Sequence, residues 1–189
     1  IGLDAVDFKL TDRLADDPGN ERFQVEKLLF MDTCVFPFHH VPAAPDAQLT
    51  KSRFGLEGKF VFGEFVNVMK LSPRLLAAWG RILRELPQAV LAFSPLSSRD
   101  ETFLLAAAAK AGVGPDRLVF LPAGKDDETR RARNAVLDAV LDTFPYSGGD
   151  TTLAALDGGV PVIALAGQRH SERTSASILG HLGLDELVT

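Results

Sequence analysis

Residues 59–93 read KFVFGEFVNVMKLSPRLLAAWGRILRELPQAVLAF, and this stretch decides the fold. It opens with an apolar run at about 60–65 and closes with another at about 89–94, both short and rich in Val, Leu and Phe, as buried strands are. Between them, Ser72 stands where a helix N-cap belongs and Pro73 fits the first helical position. Leu75, Leu76, Trp79, Ile82, Leu83 and Leu86 then recur at helical spacing and make one apolar face. A strand, a helix and a strand in this order predict a parallel pair joined by a crossover.

The pattern repeats outward. Further apolar runs lie at roughly 118–121, 138–142 and 160–165. Helical stretches fall at about 98–110, 126–136, 150–158 and 172–182. Gly112 and Gly114 follow the second helix, where a left-handed cap fits. Five strands alternating with helices predict an α/β fold, a Rossmann-like parallel sheet with helices on both faces, over residues 58–189. Residues 1–57 read differently. Asp4, Asp7, Asp12, Asp16 and Asp17 are scattered ahead of Pro18, and prolines at 37, 42 and 45 break any helix from Phe36 to Asp46. This part is expected to be an irregular extension packing on the lobe, regular only near Phe23 to Phe30.

The chain has 189 residues, 46% of them hydrophobic and 24% charged, which excludes disordered, collagenous and coiled-coil classes. Twenty basic and 25 acidic residues leave a net charge of −5, so there is no general basic field for nucleic acid. No apolar run nears the roughly 18 residues of a membrane span. One cysteine, Cys34, makes no disulfide framework and points to a cytoplasmic setting. Beginning at Ile1 rather than Met, the chain is expected to be a piece of a longer one.

In an open parallel sheet, ligands bind at the carboxyl ends of the strands. After the fourth predicted strand comes Asp142-Thr-Phe-Pro-Tyr-Ser-Gly-Gly-Asp-Thr-Thr152. Its two glycines lead into a helix, an arrangement that lets backbone N–H groups cradle a phosphate. It reads equally as a tight turn with Asp150 or Thr151 capping the helix. No Gly-Lys-Ser/Thr follows, so it is not a Walker loop, and no GxGxxG marks a dinucleotide site. Lys70 sits just ahead of a helix N-terminus, where the helix dipole disfavours a cation unless an anion shares the place; the alternative is a solvated lysine. Neither pair spacing nor neighbouring cysteine makes His39, His40 or His170 a metal ligand, and each is read as non-catalytic.

Phe65 to Pro73, Arg117 to Pro122, Asp142 to Thr152, Gly159 to Val162, and Arg173 to Ser177 with Leu182 to Leu184 resemble, in order, blocks of one family. They are similar to the C-terminal catalytic lobe of O-GlcNAc transferases, the SPINDLY-like group of family 41 glycosyltransferases with the GT-B fold. Val6 to Asp12 resembles the linker leaving that family's N-terminal lobe. The resemblance implies a donor, UDP-GlcNAc or another sugar nucleotide such as UDP-glucose or GDP-fucose, and no metal. It implies that Lys70 meets the β-phosphate with Asn67 as a polar neighbour. Gly148, Gly149, Asp150, Thr151 and Thr152 would cradle the pyrophosphate, and the backbone at Leu121 and Ala123 would face the base. It implies as partners a Ser or Thr of a protein acceptor, an N-terminal lobe and tetratricopeptide repeats, so that this chain alone lacks turnover.

Three positions depart from the family pattern. Asp150 replaces a small polar residue, where a carboxylate would repel a diphosphate or occupy the helix amides. Ala154 stands where an aspartate for the ribose is expected, and Asp157 replaces a Trp. The family's base-stacking histidine falls near Thr129 or Arg130; Arg130 would stack in its place, or Arg130, Arg131 and Arg133 form a solvated face. These departures leave open a non-catalytic lobe acting as a protein-interaction module.

Overall fold

The computed structural model describes residues 2–42 and 49–189; Pro45 and Asp46 lie outside the described residues. Five strands form one parallel sheet: β3 (Phe60–Gly63), β4 (Ala89–Phe93), β5 (Leu118–Phe120), β6 (Ala139–Leu141) and β7 (Val162–Ile163), in the order β5-β4-β3-β6-β7. The helices between them are α1 (Pro73–Glu85), α2 (Ser98–Lys110), α3 (Asp127–Ala132), α4 (Asp150–Asp157) and α5 (Thr174–His181). The stretch read as a helix over 126–136 is α3 followed by a 3₁₀ turn, Arg133–Val136.

Each strand is apolar on both sides because both faces are covered. Along β4, Ala89, Leu91 and Phe93 meet Leu75, Leu76, Trp79 and Leu104 of α1 and α2. Val90 and Ala92 point to the opposite core, with Val136, Ala155 and Val162. Ser72 Oγ accepts from the Leu75 amide at 3.2 Å, and Pro73 opens α1 as expected. Gly112 is left-handed, with φ of 76°; Gly114 is not, and instead precedes the turn into β5.

The described residues of the 1–57 segment are more regular than their composition suggests. Strands β1 (Phe8–Asp12) and β2 (Lys27–Met31) pair in parallel, Phe8 opposite Lys27 and Asp12 opposite Met31. Their pattern is inverted: Phe8 and Leu10 are exposed while Thr11 and Asp12 are fully buried. The inward side of β1 is Lys9 and Thr11, which both donate to the buried Asp16, and Asp12 at the strand's end is tied in separately. Its Oδ1 accepts from the Leu14 and Ala15 amides, its Oδ2 from Val35, and the Ser177 hydroxyl of α5 reaches both oxygens at 2.8–2.9 Å. The segment is thus tied to α5 by a carboxylate, which hydrophobic periodicity does not reveal.

Gly80 sets how closely α1 approaches the end of α2, since a Cβ there would lie 2.7 Å from the Ala111 carbonyl oxygen. A backbone oxygen cannot rotate aside. Alanine gains about 1 kcal/mol of helix propensity, but overpacking costs about 1–3 kcal/mol. Gly80→Ala is therefore expected to lower the urea midpoint without changing the m-value.

Candidate functional site

The strand order reverses at β3. From β3 the chain passes by α1 and α2 to β4 and β5, then returns to place β6 on the other side of β3. The loops after β3 and β6 consequently part from each other, and a crevice opens at their carboxyl ends. Lys70, from the β3 loop, fills the bottom of that crevice. Its Nζ donates to the Ser147 carbonyl at 3.0 Å and lies 4.0 Å from the centre of the Tyr146 ring. Lys70 is half-buried and is not a solvated lysine.

Two carboxyl groups flank it, one at the end of each central strand. Glu64 follows β3 and is 2% exposed, and Asp142 follows β6. Asp142 Oδ1 accepts from the Thr143 and Gly148 amides at 2.8 Å each. Burial, with the nearby Asp142 charge, pushes the Glu64 carboxyl well above the usual range, and burial raises that of Asp142 too. Burial lowers the Lys70 ammonium while both carboxylates raise it. Desolvation is the leading influence on all three and disfavours each charged form; the opposite charges partly offset it at Lys70, while the Asp142 charge adds to it at Glu64.

The Gly-Gly loop leads into α4 with no side-chain cap; Gly149 is the N-cap, and the first-turn amides of Asp150, Thr151 and Thr152 have no intrahelical acceptor. The capping reading of this loop therefore does not hold. Asp150 turns outward, its side chain 84% exposed, with Oδ1 3.6 Å from Arg131 Nη2. Thr152 points inward and shares a 2.7 Å hydrogen bond with Ser175 Oγ. Gly148 is buried where a Cβ would collide with the Thr152 and Thr151 hydroxyls.

Beside the crevice is a pocket of about 70 Å³ lined by Glu64, Arg130, Arg131, Asp150, Thr151 and Ala154, among others. The three arginines do not form a solvated face. Arg130 pairs with Asp127 at the rim. Arg131 is 13% exposed, its Nε and Nη1 without a hydrogen-bond partner, its guanidinium over the Phe38 ring. Arg133 lies over Phe65 and donates to Ser94 Oγ and the Ala123 carbonyl, and burial lowers it to about 10. Thr129 is spent in a capping box with Asp126.

The remaining expected residues lie apart. Leu121 and Ala123 line a different depression, on the far side of Arg133, and their carbonyls accept from Ser94 and Arg133. Asn67 accepts from the Met69 amide at 2.9 Å and caps its own turn. Asp157, at the far end of α4, holds His40 Nδ1 at 2.8 Å. Glu64 escaped the sequence reading, although a carboxyl group directly after an apolar strand was a signal for it, and Arg131, Arg133 and Tyr146 were given no role at the site. Among the described residues, no three His, Cys, Asp or Glu side chains cluster to hold a metal, and no helix is long and apolar enough to cross a membrane.

A doubly wound parallel sheet with a lysine and an uncapped helix end at its switch point defines a Rossmann-like lobe. The family model for glycosyl transferase family 41 matches residues 39–189, and the chain belongs to that family. It is 34% identical over 99% of its length to the Arabidopsis thaliana protein named "Probable UDP-N-acetylglucosamine–peptide N-acetylglucosaminyltransferase SPINDLY", of which it covers 21%. With the protein of the same enzyme name called SEC, from the same plant, identity is 28% over 97% of the chain and 19% of the relative. A mutant O-GlcNAc transferase of Thermobaculum terrenum superposes with a TM-score of 0.84 and 30% identity, over 99% of this chain and 35% of that one. The fold is that of the C-terminal lobe of a GT-B glycosyltransferase. The chain spans about a fifth of the length of these curated relatives.

Because the Glu64 carboxyl binds its proton more tightly when folded, its contribution to stability is complete below about pH 4.5 and fades as pH rises toward the folded value. Glu64→Gln keeps the shape and removes the titration. Urea denaturation between about pH 5 and 8 is expected to show a shallower decline for the variant than for the parent; parallel declines would exclude Glu64 as the source.

Proposed function

We propose that this chain is the sugar-nucleotide-binding lobe of a protein O-glycosyltransferase that moves GlcNAc from UDP-GlcNAc to Ser or Thr hydroxyls. The supporting observation is Lys70, fixed between the β3 and β6 loops beside the uncapped start of α4. As the sugar leaves, the diphosphate gains negative charge. An ammonium group and oriented amides stabilise that charge where other enzymes use a metal. Lys70 supplies the ammonium, and Gly148 to Thr152 supply the amides. Burial disfavours the charged form of Glu64 and so lessens its repulsion of a phosphate, and Asp150 is turned outward toward Arg131.

Arg130, Arg131 and Ala154 form the nucleoside side. With no carboxylate at position 154 for the ribose, the polar lining on this side comes instead from Arg130, Arg131 and Thr151. The relatives' names support UDP-GlcNAc as donor and a peptide as acceptor. Turnover needs a second lobe across the crevice, supplied by a longer chain or a partner, and the lone thiol of Cys34 suits the cytoplasm.

A charge-assisted hydrogen bond contributes about 1.5–3 kcal/mol, so Lys70→Ala should weaken UDP by roughly tenfold or more in a calorimetric titration. UDP should bind more tightly than GDP. No UDP binding at about 1 mM by the parent would sink the proposal and favour a lobe retained for protein interaction.

A further inference from the structure

β1 and β2 form a sheet of two strands, and among the described residues neither pairs with a third. The ladder shows which edge is free. Lys27 donates its amide to the Asp7 carbonyl at 3.0 Å, so Lys27 turns its backbone toward β1 and Leu28, the next residue, turns away from it. The Leu28 amide is taken by Glu21 Oε1 at 3.2 Å, which covers the outer edge of β2 with a side chain. β1 has no such cover. Phe8 stands opposite Lys27 and Leu10 opposite Leu29, so the amides and carbonyls of Phe8 and Leu10 face away from β2, and among the described residues no hydrogen bond reaches them.

One face of the pair is bare as well. Successive side chains alternate between faces, so Phe8 and Leu10 share a side with Leu29 and Met31. These four are 41–59% exposed, while Leu28 on the opposite side is buried. Phe8 and Leu10 continue with Phe23 into one wall of a concavity of about 990 Å³, whose other wall includes Gln168 and Arg169. Parallel sheets occur almost only with both faces covered, and two strands bury too little surface to stand alone. A free strand edge beside a row of large apolar side chains is a template for a further strand.

We propose that β1 and β2 are the last two strands of a second parallel sheet, that its next strand runs along the free edge of β1, and that a helix of the same unit covers Phe8, Leu10, Leu29 and Met31. The occupant is the polypeptide ahead of Ile1 in a longer native chain. Strands adjacent in sequence are usually neighbours in a sheet, and the other end of this chain is engaged elsewhere, Thr189 donating its amide to Ala164 beside β7. The curated relatives, of which this chain covers about a fifth, have ample length for such a unit. Residues 8–31 are then core strands rather than an irregular extension, and Asp12 and Asp16, bonded to Ser177 and His170, fasten the second sheet to this lobe. The inference stands whether or not a sugar nucleotide binds beside Lys70.

The test is residue-resolved amide hydrogen exchange on the full native chain. The Phe8 and Leu10 amides should exchange about a hundredfold or more slowly than in a free peptide, and equally so at low and high protein concentration. Exchange of both at the free-peptide rate overturns the proposal. Protection that is lost on dilution assigns the edge to a second copy of the chain and overturns it too. Leu10→Pro deletes an N–H that the β2 ladder does not use, which an open edge tolerates and a paired edge does not. In the full native chain it should therefore lower the urea midpoint further than Leu10→Ala does; equal midpoints count against the added strand.

Discussion

The hydrogen bond from Lys70 to the Ser147 carbonyl closes the point on which the architecture turns. Parallel crossovers keep one hand, so a chain that reverses its direction across a sheet must also move its helices to the other face. Here α1 and α2 cover the face met by Leu91 and Phe93, and α4 covers the face met by Val90 and Val140. The β3 and β6 loops then leave in opposite directions with nothing between them. Lys70 spans the opening and reaches the loop that leads into the uncapped start of α4.

Electrostatics at that point are finely balanced. An ammonium group there must be desolvated, and Glu64 and Asp142 offset the cost. Two ionised carboxylates would neutralise more charge than the lysine brings and leave no attraction for an anion. Burial works against that by disfavouring the charged form of Glu64, so that less of the lysine's charge is cancelled. A chain with net charge −5 can therefore present a local anion site, built from one cation and oriented amides rather than from a basic surface.

Strand and helix positions were legible because each depends on short-range patterns. Ser72-Pro73 caps α1 by local geometry, and the strand residues are apolar throughout because both sheet faces are covered. Lys70 and the Gly148-Gly149 loop were legible through their places after strands. What could not be read were contacts set by folding. Arg131 and Arg133 look like neighbours of Arg130 on an exposed helix, yet the turn to 3₁₀ geometry after Ala132 carries Arg133 inward to Phe65 and Ser94. Asp150 looked like a cap or an obstacle, and only the position of Arg131 decides that it faces solvent.

The N-terminal segment shows the same limit more sharply. A two-stranded parallel pair has too little buried surface to stand alone. β1 and β2 are held instead by Asp12, whose oxygens join two turns of the segment to Ser177, and by Asp16, which gathers Thr11, Lys9 and His170. Since the inner side of β1 carries Lys9 and Thr11, the donors to Asp16, its apolar residues Phe8 and Leu10 face outward. A hydrophobic pattern reads such a strand as irregular, because its core is made of carboxylates. The same inversion leaves Phe8 and Leu10 exposed along a concavity shared with the turn after β7, so the constraint that hid the segment in the sequence also shapes its outer surface.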